Sequence, residues 1–131
     1  MSRVHGWAAA AIAAWALSLL LATSQGQDAG AGDAARGNVV FEKRCTGCHS
    51  LTQNREGPKL GGVYGRVSGT VEGFAYSDAL RKARIPWDEK TLNTWLADPD
   101  TLVPDNNMEF HVAKAEERRD VIAFLKQVPL R

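Results

Sequence analysis

Cysteine is scarce in this sequence, and so is methionine: there are two of each among 131 residues. Cys45 and Cys48 have only two residues between them. That spacing excludes the disulfide framework that staples many small secreted domains, because so short a bridge closes too small a loop to remove much chain entropy. Charge of one sign is lacking too. Sixteen Lys and Arg stand against 15 Asp and Glu, and nothing in that balance points to nucleic acid. No stretch alternates apolar and polar residues long enough for a convincing strand, which argues against a sheet. Internal repeats are absent, and the one biased tract is a Gly/Ala/Asp run near residues 25–32.

The chain does have a distinctive beginning. Arg3 and His5 precede an uncharged run from Gly6 to Ala22, rich in Ala, Leu and Trp, and Ala22-Thr23-Ser24 then offers small residues at the first and third positions. A positive start, an apolar centre and a small-residue exit describe a secretory signal peptide over residues 1–24. The apolar run is short for a bilayer span, so retention as a membrane anchor is the lesser alternative. Residues 25–32 read as a flexible linker, and one domain is expected over 33–131. Loss of Arg3 leaves 15 basic residues against 15 acidic ones. A domain of about 100 residues is small for a self-sufficient core and would gain from a large apolar cofactor.

Within that domain the period is helical. Asp33 to Arg44 reads as a helix with Gly37, Val40 and Phe41 on one face. A glycine inside a helix is costly, and close approach of another backbone is the expected reason at Gly37. Leu51 to Thr70 holds five glycines and one proline without a sustained period and reads as a loop. Ser77 to Arg84 suggests a short helix. Asp88 can cap a helix whose Leu92, Trp95 and Leu96 share a face, with Pro99 just beyond its end. Thr101 to Phe110 reads as irregular. Lys114 to Gln127 carries an apolar stripe of Val121, Phe124, Leu125 and Val128, with Glu116 and Glu117 in its first turn. The fold expected is all-α, with loops long enough to need something central to pack against.

Cys45-Thr46-Gly47-Cys48-His49 fits covalent attachment of c-type haem. Two thiols can add to the vinyl groups on one side of a porphyrin, and the next residue then places an imidazole under the iron. A thioredoxin-like dithiol would need a βαβ setting, and a zinc site four ligands at a familiar spacing. Met1 leaves with the signal, so Met108 is the methionine of the mature domain. It lies in an irregular stretch stiffened by Pro104, where core filler would be unusual. Its thioether is the expected second iron ligand beside His49. His111, three residues on, is the competing ligand.

These residues, together with Gly37, Phe41, Gly57, Pro58, Leu60, Tyr64-Gly65-Arg66, Gly73-Phe74, Tyr76-Ser77-Asp78-Ala79, Trp87, Leu92, Leu96, Pro99, Pro104 and Phe110, resemble the class I cytochrome c pattern. The likeness is to the mitochondrial cytochrome c and bacterial cytochrome c2 branch, and it runs from about Asp33 to Val128. It implies the class I cytochrome c fold: three main helices, short helices and long loops around one covalently bound haem. It further implies that Gly37 and Phe41 meet Val121 and Phe124 where the first and last helices cross. Pro58 would accept the ring N–H of His49, and Arg66, Tyr76 and Trp87 would surround the inner haem propionate. Trp95 and Phe110 complete the expected cofactor-binding set with Cys45 and Cys48. Departures stand behind Met108, where Trp95 replaces a frequent tyrosine and Asn106 a commonly hydroxylated residue. Leu80 also replaces a commonly polar residue.

Function follows as an expectation: a periplasmic one-electron carrier, monomeric, and not an enzyme. The donor would be a quinol–cytochrome c oxidoreductase or a dehydrogenase, and the acceptor a terminal oxidase or a reaction centre. No nucleic acid is expected, and a membrane only if the signal segment is retained. A haem enzyme or sensor with an open or bis-His iron is the alternative from another class. The usual lysine rim for docking is thin, with Arg44, Arg55 and Lys114 as contributors and Asp100, Thr101, Asp105 and Asn107 on the Met108 loop.

Overall fold

The computed structural model describes residues 30–130. The expected signal segment and residues 25–29 of the expected linker lie outside them. Five helices follow in order: α1 Ala34–Arg44, α2 Asp78–Ala83, α3 Glu89–Ala97, α4 Pro99–Leu102 and α5 Ala115–Gln127. Among the described residues the only β pairing is an isolated bridge between Val67 and Pro86. None of these helices is long and apolar enough to cross a membrane. The all-α expectation holds, with α1, α3 and α5 as the three main helices.

Local chemistry sets the boundaries. Asp33 caps α1 by accepting from the Arg36 amide, Ser77 caps α2, and Asp88 with Thr91 forms a reciprocal capping box at α3. The reading of Thr101 to Phe110 as irregular is corrected at its start. Pro99 lies just beyond the end of α3, as expected, and also opens α4, because Asp98 accepts from the Asp100 amide and a proline suits the first helical position. Four residues are too few to show a period in sequence.

The packing axis is the crossing of α1 and α5. A Cβ on Gly37 would stand 1.9 Å from the Asp120 carbonyl oxygen, so the close approach expected there is present. Gly32, at the end of the expected linker, is pressed as tightly against the Arg119 backbone. Phe41 meets Phe124 with ring centroids 5.4 Å apart, and Phe41 and Val121 are buried. Burying side chains of that size contributes about 1.5–3 kcal/mol each. The Asp120 carboxylate, 3% exposed, accepts from the Asp33 amide at 2.7 Å and from Arg36 Nε and Nη2 at 2.8 and 3.0 Å. That tie across 84 and 87 positions has no sequence signature. Arg118 joins α5 to the α3 side through Asn93 Oδ1 and the Val112 and Ala113 carbonyls.

Candidate functional site

Helices and loops close around a cavity of about 360 Å³. Its walls are mainly apolar and include Leu80 from α2, Leu92, Trp95 and Leu96 from α3, and Val121 and Leu125 from α5. Protein interiors are close-packed, with few voids larger than a water molecule. A hollow of this size at the centre of so small a domain therefore calls for a large apolar occupant.

The Cys45–His49 segment enters the cavity directly from α1. His49 N and Cys48 N both donate to the Cys45 carbonyl, at 2.8 and 3.1 Å, which coils the motif, and Cys45, Cys48 and His49 all line the cavity. Both cysteines are free thiols, Cys45 half-buried and Cys48 exposed. Burial pushes the Cys45 thiol up to about 11, so it is held protonated at neutral pH. His49 Nδ1 donates to the Pro58 carbonyl at 2.8 Å, as expected. Burial lowers the pKa of the ring, partly countered by that bond, so the imidazole is neutral and Nε2 keeps its lone pair. Gly57 explains how the ring fits. A Cβ there would fall 2.2–2.7 Å from His49 ring atoms. This role was not legible in the sequence, although the glycine's place next to Pro58 was the available hint.

Met108 reaches the same cavity from the irregular segment after α4. The indole N–H of Trp95 donates to its sulfur at 3.1 Å. The substitution of Trp for a tyrosine thus keeps a donor behind the thioether. Asn106 accepts from the Met108 amide through Oδ1 at 2.7 Å, which the sequence alone did not reveal. His111 is exposed and does not line the cavity. Phe110 does line it, and remains 41% exposed at the mouth.

Arg66, Tyr76 and Trp87 all line this cavity. Backbone bonds tie the Arg66 and Trp87 segments: the Trp87 amide donates to the Arg66 carbonyl at 2.8 Å, and the Gly65 amide donates to the Trp87 carbonyl at 2.7 Å. The half-buried Arg66 guanidinium donates to the carbonyls of Gly61 and Lys59, each at 3.0 Å. It has no carboxylate partner among the described residues, and burial lowers its pKa. The Tyr76 hydroxyl accepts from the Val71 amide at 3.3 Å, and burial raises its pKa. Trp87 packs on Trp95 at 5.3 Å. A half-buried cation is stabilised by a nearby anion, and no described residue supplies a carboxylate to this corner.

The rim is less cationic than its arginine and lysine suggest. Arg44 and Lys114 both engage Glu117, at 3.0 and 3.7 Å. Glu56 and Glu109 line the mouth, and no Lys or Arg occurs from Thr91 to Ala113.

Two free thiols, a fixed neutral imidazole, a thioether, a carboxylate-seeking corner and an apolar hollow are what a haem c needs from a protein. The cytochrome c family profile matches residues 34–129. The chain is 47% identical to a cytochrome c of Chlamydomonas reinhardtii over 104 residues, covering 76% of this chain and 93% of that one. It is 45% identical to cytochrome c2 of Blastochloris viridis, covering 76% and 80%. The solved structure of cytochrome cH from Methylobacterium extorquens superposes with a TM-score of 0.69 at 42% identity, covering 72% of this chain and 98% of that one.

Proposed function

The chain belongs to the cytochrome c family, and we propose that it is a soluble one-electron carrier of the bacterial periplasm with His49 and Met108 as its axial ligands. Members of this family are electron carriers, not enzymes, and the cofactor is one haem c bound covalently through Cys45 and Cys48. Once bound, that group supplies a one-electron ferric–ferrous couple.

The protein's own residues set the terms of that couple. Pro58 holds the His49 ring by its Nδ1–H and thereby directs Nε2 at the iron position and raises its basicity. Trp95 points the Met108 sulfur by a hydrogen bond. With both residues bound to the iron, no position would remain for oxygen or substrate, and the His/Met pair would favour a comparatively high potential. The apolar walls exclude water and disfavour the additional positive charge of the ferric state, which acts in the same direction. Arg66, Tyr76 and Trp87 line the cavity and would receive the inner propionate, whose charge the Arg66 guanidinium would offset. Cys48 and Phe110 lie at the open side, where a partner would dock. Weak rim charge favours brief encounters over strong lysine-driven steering.

Export rests on residues 1–24, which carry the signal pattern, with residues 25–32 as the linker to the domain. The donor is a quinol–cytochrome c oxidoreductase or a dehydrogenase, and the acceptor a terminal oxidase or a reaction centre, each meeting a monomeric carrier. A retained N-terminal segment would turn the same carrier into a membrane-anchored one.

The observation that carries the ligand assignment is that one apolar cavity receives both the tethered His49 imidazole and the Trp95-bonded Met108 sulfur, while His111 stays outside. Optical spectra of periplasmically expressed protein test it. Sharp reduced haem c bands and a weak far-red ferric band that disappears in Met108→Ala are expected. Haem c bands without the far-red band in the wild type refute His/Met ligation. Mass spectrometry of the same sample checks cleavage after Ser24.

A further inference from the structure

From Val103 to Lys114 the chain has no helix or strand, yet this segment must bring one sulfur atom to a fixed point. Its backbone reverses at Asp105, which adopts a φ of 63°. Asp tolerates that left-handed conformation better than most residues, but the surroundings still have to hold it. Asn106 provides the hold. Its Oδ1 accepts from the Met108 amide at 2.7 Å, an Asx-turn. Its Nδ2 donates to Asp100 Oδ1 at 2.8 Å and to the Val103 carbonyl at 2.9 Å. Asp100 is itself fixed on α4, where Asp98 Oδ1 accepts from its amide at 3.1 Å. Asp98 Oδ2 accepts from the Thr101 hydroxyl at 2.8 Å. Side-chain amide and carboxylate thus connect a capped helix to the backbone of the residue bearing the thioether.

We propose that Asn106, braced by Asp100, is the positioning residue that keeps Met108 on the iron, an inference that rests on Met108 being the axial ligand. Trp95 holds the sulfur end of Met108 and Asn106 holds its backbone. Departure of the methionine, or its replacement by His111 three residues further on, requires the loop to swing. That swing breaks the Asn106–Met108 bond.

The test uses the holoprotein in a His111→Gln background, so that the chain's own imidazole does not compete, with free imidazole as the probe. Asn106→Leu keeps the side chain's size and removes all three bonds. It is expected to bind imidazole to the ferric form at least about tenfold more tightly and to lose the far-red band at a lower temperature. A tenfold change corresponds to about 1.4 kcal/mol, which one or two net hydrogen bonds can supply. Asn106→Ser retains a side-chain oxygen able to accept from the amide two residues on, and it should recover most of the wild-type affinity. Asp100→Ala, on an exposed residue, removes only the brace and should give about a threefold change, so a failure of Asn106→Leu to assemble leaves the proposal still at risk. Imidazole affinity within twofold of the parent in Asn106→Leu, or in Asp100→Ala where Asn106→Leu does not assemble, overturns the proposal. So does a serine variant that behaves like leucine. A parent protein with haem c bands but no far-red band overturns the ligand reading itself, and with it this one.

Discussion

Gly37→Ala adds one methyl group at the point where α1 and α5 cross. The new carbon would stand 1.9 Å from the Asp120 carbonyl oxygen, 2.5 Å from its carbon and 2.8 Å from Phe124 Cβ. Ordinary contact is roughly 3.5 Å, so the shortfall exceeds 1 Å. The obstruction is the α5 backbone, which has no rotamer to change, and the helices must separate. Separation loosens Phe41, Val121 and Phe124 and stretches the Arg36–Asp120 pair. Overpacking of this kind costs about 1–3 kcal/mol, while Ala returns about 0.5–1 kcal/mol of helix propensity. A net loss of about 1–2 kcal/mol is expected. At about 4–8 °C per kcal/mol for a domain of this size, the thermal midpoint of the oxidised holoprotein should fall by about 5–15 °C by far-UV circular dichroism. Gly47→Ala is the control, because nothing lies within 4 Å of its added carbon, and it should change the midpoint little. A Gly37→Ala protein as stable as the wild type, or more so, would refute the crossing argument. The haem spectrum should be the same in both variants.

Asp120 accepts hydrogen bonds from Arg36 and the Asp33 amide, and its native pKa is depressed chiefly by the Arg36 bonds. A carboxylate with a native pKa below its unfolded value of about 3.9 adds stability that is present above that pH and is lost as pH falls through the native value. Stability should therefore fall below about pH 4, and Asp120→Asn should flatten that acid limb in urea titrations at several pH values. Arg66→Gln removes a positive charge from the propionate corner, so the ferric form gains relative to the ferrous one. The reduction potential should drop by on the order of tens of millivolts in an optical redox titration, and a rise would contradict the placement of Arg66. Cys45→Ala/Cys48→Ala protein, lacking its covalent group, should be largely unfolded because the centre of its core is hollow. A cooperative thermal transition by circular dichroism would show otherwise.

Several decisive features were legible from residue order alone because each depends on local geometry. Cys45, Cys48 and His49 are close in sequence, and a single turn brings all three to the cavity. The stripes of α3 and α5 repeat at the helical period, and Gly37 inside a helix announces a neighbouring backbone. The roles of Gly57, Asn106 and Asp120 were not legible. Gly57 matters because of a ring eight residues away, and Asp120 because of an arginine 84 positions away. Asn106 was visible as a departure, but its three bonds depend on where α4 and the Asp105 turn place their acceptors.

The sequence by itself determined that this chain is helical and carries one haem c, since attachment chemistry and helical period are short-range properties. Tertiary structure decided how the Met108 loop is held and that His111 stays outside the cavity. It also decided that Trp95 donates to the methionine sulfur and that Glu117 engages the rim cations Arg44 and Lys114. Those outcomes turn on distances of a few ångströms between groups far apart in the chain. Only the completed packing of α1, α3 and α5 around the cavity sets such distances.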